Sequence, residues 1–279
     1  MNRPNLFILG FPKCGTSSLH STLLHHENIG EGQKKEPHTY AFEDRYINRF
    51  EYFNTNIDQL SSKKYFLDSS TTYIVNPKAI DLINKDVNNA KFIVVLRDPI
   101  DRLISHYNWL VSLGQVKYSF KKEIEMDLTN SFDPLKSEKG RYKNYIFFSL
   151  YSEHLSALGN TVNHNNILLL EYKEIVKEWG KTSYKVYNFL DIEHIATNMQ
   201  KLNQTKEIIE TRNINKHSLI TELKHFRKRL LGQKVFKMDG KLLIERNPDI
   251  EDFLKPFLGR EMHLFKEFTL KNMNPSVYI

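Results

Sequence analysis

The sequence predicts an α/β fold in one domain, residues 1 to 279: a parallel β-sheet flanked by helices on both faces. Four short apolar segments, roughly residues 5 to 9, 65 to 67, 92 to 96 and 167 to 170, read as core strands. Each gives way to a turn and then to apolar residues at helical spacing. The segments are almost continuously apolar, which marks strands buried on both faces and therefore a parallel sheet. With 279 residues, 40% of them hydrophobic, the chain can bury such a core, and its size suits one domain with elaborated loops better than two.

The first strand carries Phe7, Ile8 and Leu9, breaks at Gly10 and Pro12, and leads into a helix with Leu19, Leu23 and Leu24 on one side. A helix N-terminus reached through such a turn presents unpaired N–H groups and the positive end of the helix dipole, and Lys13 adds a full charge. This P-loop-like arrangement suits an anionic phosphate. An ATP- or GTP-binding loop reads Gly, four residues, Gly-Lys-Ser/Thr, with the lysine after the second glycine. Here Lys13 comes two residues before Gly15, in Pro12-Lys-Cys-Gly-Thr-Ser-Ser18.

The strand before Arg97 runs into Asp98-Pro99, a helix start in which Asp98 suits the N-cap and Pro99 the first turn. Ile100, Leu103, Ile104, Tyr107 and Leu110 recur at helical spacing and form the inward face. Ser105 follows Asp98 by seven residues, about two turns at roughly 100° per residue, which returns it to the side of the cap. Arg97 and Ser105 therefore converge, and an arginine fork with a hydroxyl suits a phosphate monoester. A third segment, Lys34-Lys-Glu-Pro-His-Thr-Tyr-Ala-Phe42, lies between the two.

These segments resemble those of the sulfotransferases that use 3′-phosphoadenosine 5′-phosphosulfate (PAPS), in particular the heparan-sulfate-type and related bacterial carbohydrate enzymes. Tyr65-Phe-Leu-Asp-Ser-Ser-Thr-Thr-Tyr73, Gly140-Arg-Tyr142 and Tyr151-Ser-Glu-His-Leu155 resemble the same family. The resemblance implies PAPS as donor co-substrate, its desulfated form PAP as product, and no metal. It places the donor 5′-phosphate on Lys13, Cys14, Gly15, Thr16, Ser17 and Ser18, and the 3′-phosphate on Arg97 and Ser105. Lys13 would neutralise the leaving phosphate, and Glu36 would take the acceptor proton, with His38 in reserve as base. Lys35 would orient Glu36 or meet an acidic group of the substrate. Asp68 would assist or serve structure. Thr39-Tyr40 replaces the family's usual aromatic pair, so the acceptor wall departs from the pattern. The acceptor implied is a hydroxyl or amine, foremost on a carbohydrate, although pocket loops and not the fold decide this.

Bulk properties narrow the rivals. The net charge of +7, from 40 basic and 33 acidic residues, is dispersed, which fits a polyanionic nucleotide. No RNA- or DNA-binding signature appears, so nucleic acid is not an expected partner. A P-loop kinase of a small metabolite shares the strand-loop-helix pattern, but the lysine is misplaced and no magnesium carboxylate stands out. A noncatalytic anion- or nucleic-acid-binding protein is the other rival. Cys14, the single cysteine, permits no intramolecular disulfide, and its backbone is expected to matter more than its thiol. With no secretory leader and no membrane-spanning apolar run, the expectation is a cytoplasmic enzyme of bacterial or viral kind. The histidines, including His20, His25 and His26, show no ligand pattern and read as surface or packing residues.

Two polar stretches, Glu43 to Lys64 and Gly114 to Lys143, interrupt the alternation. The second holds Lys117, Lys121, Lys122, Lys136, Lys139 and Arg141, which line an acceptor cleft or simply form a solvated rim. Beyond Leu190, helical pieces are expected over Ser218 to Leu231 and Pro248 to Leu270. Lys206 and Arg212 are candidates for a flap over the 3′-phosphate, without an assignment.

Overall fold

A computed structural model describes residues 3–32, 34–53, 62–116, 118–129, 143–199, 243–271 and 274–279. Five strands, β1 (Leu6–Gly10), β2 (Ile29–Glu31), β3 (Tyr65–Asp68), β4 (Lys91–Leu96) and β5 (Ile167–Glu171), form one sheet in the order β2-β3-β1-β4-β5. All neighbouring pairs are parallel. Four of the strands are those expected from the apolar runs. The fifth, β2, is a three-residue edge strand in which only Ile29 is fully buried. It carries no apolar run to betray it, and pairing with β3 fixes it instead.

The helices are α1 (Thr16–Leu23), α2 (Glu43–Ile47), α3 (Arg49–Phe53), α4 (Pro77–Asp86), α5 (Pro99–Ser112), α6 (Phe120–Thr129), α7 (Tyr151–Thr161), α8 (Tyr172–Lys177), α9 (Trp179–Leu190) and α10 (Pro248–Leu270). The expected caps form: Asp98 accepts from the N–H groups of Ile100 and Asp101, and Asn76 accepts from Ala79, each ahead of a proline at the first turn. The two polar stretches differ from the expectation of loops, since they contain α2, α3 and α6. Short helices that bury few apolar residues, none in α2 and only Phe120 and Ile124 in α6, leave little apolar signal in a charged sequence. Lys121 and Lys122 are exposed on α6; Lys121 lies 5.3 Å over the Phe253 ring and Lys122 pairs with Glu125 at 3.3 Å. Lys117, Lys136, Lys139, the Gly140 to Tyr142 segment, Lys206, Arg212 and the piece Ser218 to Leu231 lie outside the described residues.

The strands β1, β3 and β4 are buried almost throughout, as sheet strands covered on both faces must be. Their side chains join those of α1, α4, α7 and α9 in one core, where Phe7 stacks on Phe92 at 5.5 Å. A second cluster lies between α5, α6 and α10, and joins Ile100, Leu103 and Leu110 to Phe120, Leu254 and Leu258. The inward face expected of α5 is buried. Because β1 has β3 on one side and β4 on the other, the chain leaves the sheet in opposite directions there, which opens a crevice beyond the carboxyl ends of these strands.

Candidate active site

The loop after β1 enters that crevice. Lys13 and Gly15 both hold left-handed backbone, with φ of 70° and 83°. Gly15 is the N-cap of α1, no side chain caps the helix, and its first turn holds no acidic residue. The helix thus meets the crevice with its positive end uncovered. A Cβ at Gly15 would lie 3.0 Å from the Tyr172 ring, so both its conformation and the space demand glycine. Gly15→Ala is expected to abolish PAP binding in calorimetry while the far-UV circular dichroism stays native. Thr16 and Ser18 are buried beside it and Ser17 is half-buried. Cys14 is fully buried, burial pushes its thiol up, and its Sγ lies 3.8 Å from the Tyr151 hydroxyl. Such a thiol packs and does not attack.

Lys13 is half-buried, with Nζ 5.0 Å from the centroid of the Trp109 ring. Burial, and then the charge of Arg97, lower its pKa to about 8. Arg97, at the end of β4, donates to the Lys13 carbonyl at 3.2 Å and lies 4.7 Å over the Tyr172 ring. The Tyr151 hydroxyl donates to the Arg97 carbonyl at 2.9 Å, so this one side chain braces both strand ends. Among the described residues neither Lys13 nor Arg97 has a carboxylate within ion-pair distance. Two neighbouring half-buried cations, without a carboxylate partner among the described residues, suit an anion.

Arg97 and Ser105 line one cavity of about 280 Å³, as their spacing predicts. Asn108 and Arg246 line it too. Asn108 exchanges hydrogen bonds with the Ile244 backbone at 2.8 and 3.0 Å, and Arg246 is held by Asp98 at 2.9 Å and Asp101 at 3.1 Å. Below, Arg102 is wholly buried and donates to Ser149 Oγ at 2.7 Å and to the Tyr145 carbonyl.

The loop after β2 carries Glu36 and His38. Glu36 is paired with Lys35, and its other oxygen lies 3.7 Å from His38 Nε2. His38 has left-handed backbone, φ 54°, secured by its N–H donating to Ser70 Oγ at 2.9 Å. Its Nδ1 lies 2.8 Å from Thr72 Oγ1, and burial lowers its pKa to about 4, against the opposing charge of Glu36. Asp68 anchors the loop from below. It is buried, accepts from the N–H and hydroxyl of Ser70 at 2.9 and 2.6 Å, and accepts from Tyr73 at 2.9 Å. Burial pushes its carboxyl up to about 6, with both oxygens occupied. His20 links α1 to the same support through Ser69 and Glu31, each at 2.7 Å. Glu36 and His38 make no hydrogen bond or ion pair with Lys13 or Arg97 among the described residues. What unites the two groups is the shared carboxyl edge of the sheet.

Sequence reasoning missed Tyr172, Trp109, Asn108 and Arg246. Tyr172 was within reach of it, because it directly follows β5 at a strand's carboxyl end, where ligands of such sheets gather. Trp109 stands one turn after Ser105. Arg246 reaches Asp101 across 145 residues, and no local pattern signals that.

Comparison with known proteins agrees with this geometry. The sulfotransferase domain family matches residues 3–255. A membrane-associated sulfotransferase of Dictyostelium discoideum is 32% identical over 111 residues, 39% of this chain and 23% of that protein. Human carbohydrate sulfotransferase 15 is 23% identical over 265 residues, 71% of this chain and 46% of that protein. A bifunctional heparan sulfate N-deacetylase/N-sulfotransferase of Caenorhabditis briggsae is 25% identical over 201 residues, 68% of this chain and 23% of that protein. The chain thus spans less than half the length of these relatives. In fold it is similar to a sulfotransferase from Alicyclobacillus acidocaldarius, with a TM-score of 0.60 at 19% identity, covering 84% of this chain and 98% of that one. With most of its length matched, and with its phosphate loop, arginine and serine at the edge of one parallel sheet, the chain belongs to the sulfotransferase domain family.

Proposed function

We propose that this protein transfers the sulfuryl group of PAPS to a hydroxyl or amine of a carbohydrate and releases PAP. One observation carries the reading: Lys13, in the loop after β1, and Arg97, at the end of β4 and bonded to the Lys13 backbone carbonyl at 3.2 Å, have no carboxylate partner among the described residues. That pair, with the uncapped start of α1 and the Ser105 hydroxyl, fits a nucleotide bearing phosphates at both its 5′ and 3′ positions.

When bound, the donor supplies an activated sulfuryl group on a good leaving phosphate. The S–O bond to that phosphate breaks as the acceptor's oxygen or nitrogen bonds to sulfur, and the acceptor proton passes to Glu36. Lys13 and the N–H groups of Gly15 to Ser18 hold the charge left on the phosphate, an electrostatic and positioning task akin to phosphoryl transfer. Glu36 is partly exposed, which leaves its carboxylate accessible for proton transfer. His38 is buried and neutral near pH 7. One ring nitrogen, Nδ1, is engaged by the Thr72 hydroxyl and the other, Nε2, lies 3.7 Å from Glu36, which favours a positioning role over that of base. The scheme needs no metal.

The carbohydrate acceptor rests on the named activities of the similar proteins. A single domain and a cytoplasmic location belong to the proposal as well, the latter on the lone cysteine; cell fractionation tests it. Among the described residues no helix is long and apolar enough to cross a membrane.

Thermal shift separates this reading from a kinase. PAP at a hundredfold excess over its Kd is expected to add about 2.7 kcal/mol of stability, while ATP with magnesium adds little. Labelled PAPS turned over with a panel of desulfated glycans then tests catalysis. Stabilisation by ATP with magnesium alone would overturn the reading.

Arg97→Ala is expected to weaken PAP binding by about 10- to 100-fold, the range of a lost hydrogen bond to a charged group. Adenosine 5′-phosphate, which lacks the 3′ group, should weaken far less; equal losses in calorimetry would remove Arg97 from the 3′ site. The lowered Lys13 pKa also sets a pH limb. The lysine loses its charge above about pH 8 in the free protein, so PAP affinity is expected to fall as pH rises through that value. Below it, affinity should be flat, and Lys13→Arg should lose the limb.

A further inference from the structure

Trp109 has no part in the scheme above, yet Lys13 Nζ rests over its ring at 5.0 Å. The indole is half-buried, on α5 one turn beyond Ser105. Of its helix neighbours, Asn108 is committed to the Ile244 backbone, and His106 lies between the Tyr145 ring at 5.2 Å and the Trp109 ring at 6.1 Å. A single helix therefore presents Ser105 to the donor and an indole face to the transfer lysine.

An ammonium over an aromatic face is held by the ring quadrupole, a weaker attraction than charge-assisted hydrogen bonds to a phosphate. The donor's phosphates therefore compete with the ring for the Lys13 ammonium. An arriving donor draws the lysine off the indole, and the vacated face then lies beside the reacting group, because one side chain reaches both places. A flat, electron-rich, half-buried surface there suits a ligand with a face of slightly positive C–H groups, as a pyranose ring has.

Resting on the sulfuryl-transfer reading, we propose that the Trp109 indole is the platform for the acceptor's pyranose ring, covered by Lys13 until the donor binds. Donor binding then precedes acceptor binding, and an empty enzyme keeps its acceptor site closed.

The chain holds two tryptophans, so Trp179→Phe leaves Trp109 as the sole indole emitter. In that protein, saturating PAP is expected to raise quenching of Trp109 by acrylamide, as the lysine departs. With Lys13→Ala added, quenching is already high and PAP does not raise it. Desulfated heparan and chondroitin tetrasaccharides are then titrated: at least one should shield Trp109 from acrylamide in the PAP-loaded protein and not in the free one. Trp109→Leu should weaken that tetrasaccharide's binding about 2- to 10-fold, the range of an aromatic contact beyond its buried area, without weakening PAP binding, since Lys13 then leaves no ring to meet the donor, and with partial rescue by Trp109→Phe. Unchanged quenching on PAP binding, shielding without PAP, or shielding by no tetrasaccharide would overturn the platform alone. Failure of PAP to bind in calorimetry would instead overturn the sulfuryl-transfer reading, and this inference with it.

Discussion

Replacing Lys13 by alanine is expected to lower sulfuryl transfer about 10²- to 10³-fold, the usual effect of removing one donor that stabilises developing charge. The loss should appear mainly in kcat, because the charge on the leaving phosphate grows during the reaction and the helix N-terminus still holds the ground state. Folding should not suffer. The lysine is kept half-buried next to Arg97 with no counter-ion among the described residues, an arrangement that costs stability in the donor-free protein. Lys13→Ala is therefore expected to keep or raise the Tm even as activity collapses, a stability-for-function exchange of the kind found at active sites. A variant that lost activity through misfolding would lower both.

Glu36→Gln is expected to cut turnover about 10²- to 10⁴-fold, the contribution of a positioned general base, with PAP affinity within experimental error of the native value. The amide keeps the shape of the side chain and loses only its ability to take a proton. His38→Ala tests the other half of the arrangement. If His38 only orients Glu36, its loss should lower kcat less than Glu36→Gln does, and His38→Asn should recover part of it. Near-normal turnover in Glu36→Gln would transfer the role of base to His38.

The sequence made the donor side of the crevice readable because its signals are local. Lys13 and Gly15 sit on one turn, and Arg97, Asp98, Pro99 and Ser105 on one strand-to-helix junction, where spacing alone sets direction. Continuous apolar runs revealed four of the five strands, the three inner ones and the edge strand β5, for the same reason. What stayed hidden was built from contacts between distant segments. The edge strand β2 exists through pairing with β3, and Tyr151 reaches Arg97 across 54 residues. Residue type leaves Asp68 open between assisting and serving structure, and Ser70 and Tyr73, which occupy both its oxygens, favour structure. His38 is a candidate base by residue type, and its burial, with Thr72 at one ring nitrogen and Glu36 3.7 Å from the other, follows from contacts that its sequence neighbourhood does not signal. Residue type and spacing along the chain carry no information about desolvation, which decides both cases.

The central claim is that two strand ends grip opposite phosphates of one nucleotide, and a crystal structure of the protein with PAP tests it most directly. The account predicts the 5′-phosphate on the N–H groups of Gly15 to Ser18 with Lys13 Nζ moved to it, and the 3′-phosphate between Arg97 and Ser105. PAP bound away from the β1 and β4 ends, or with its 3′-phosphate clear of Arg97, would contradict it.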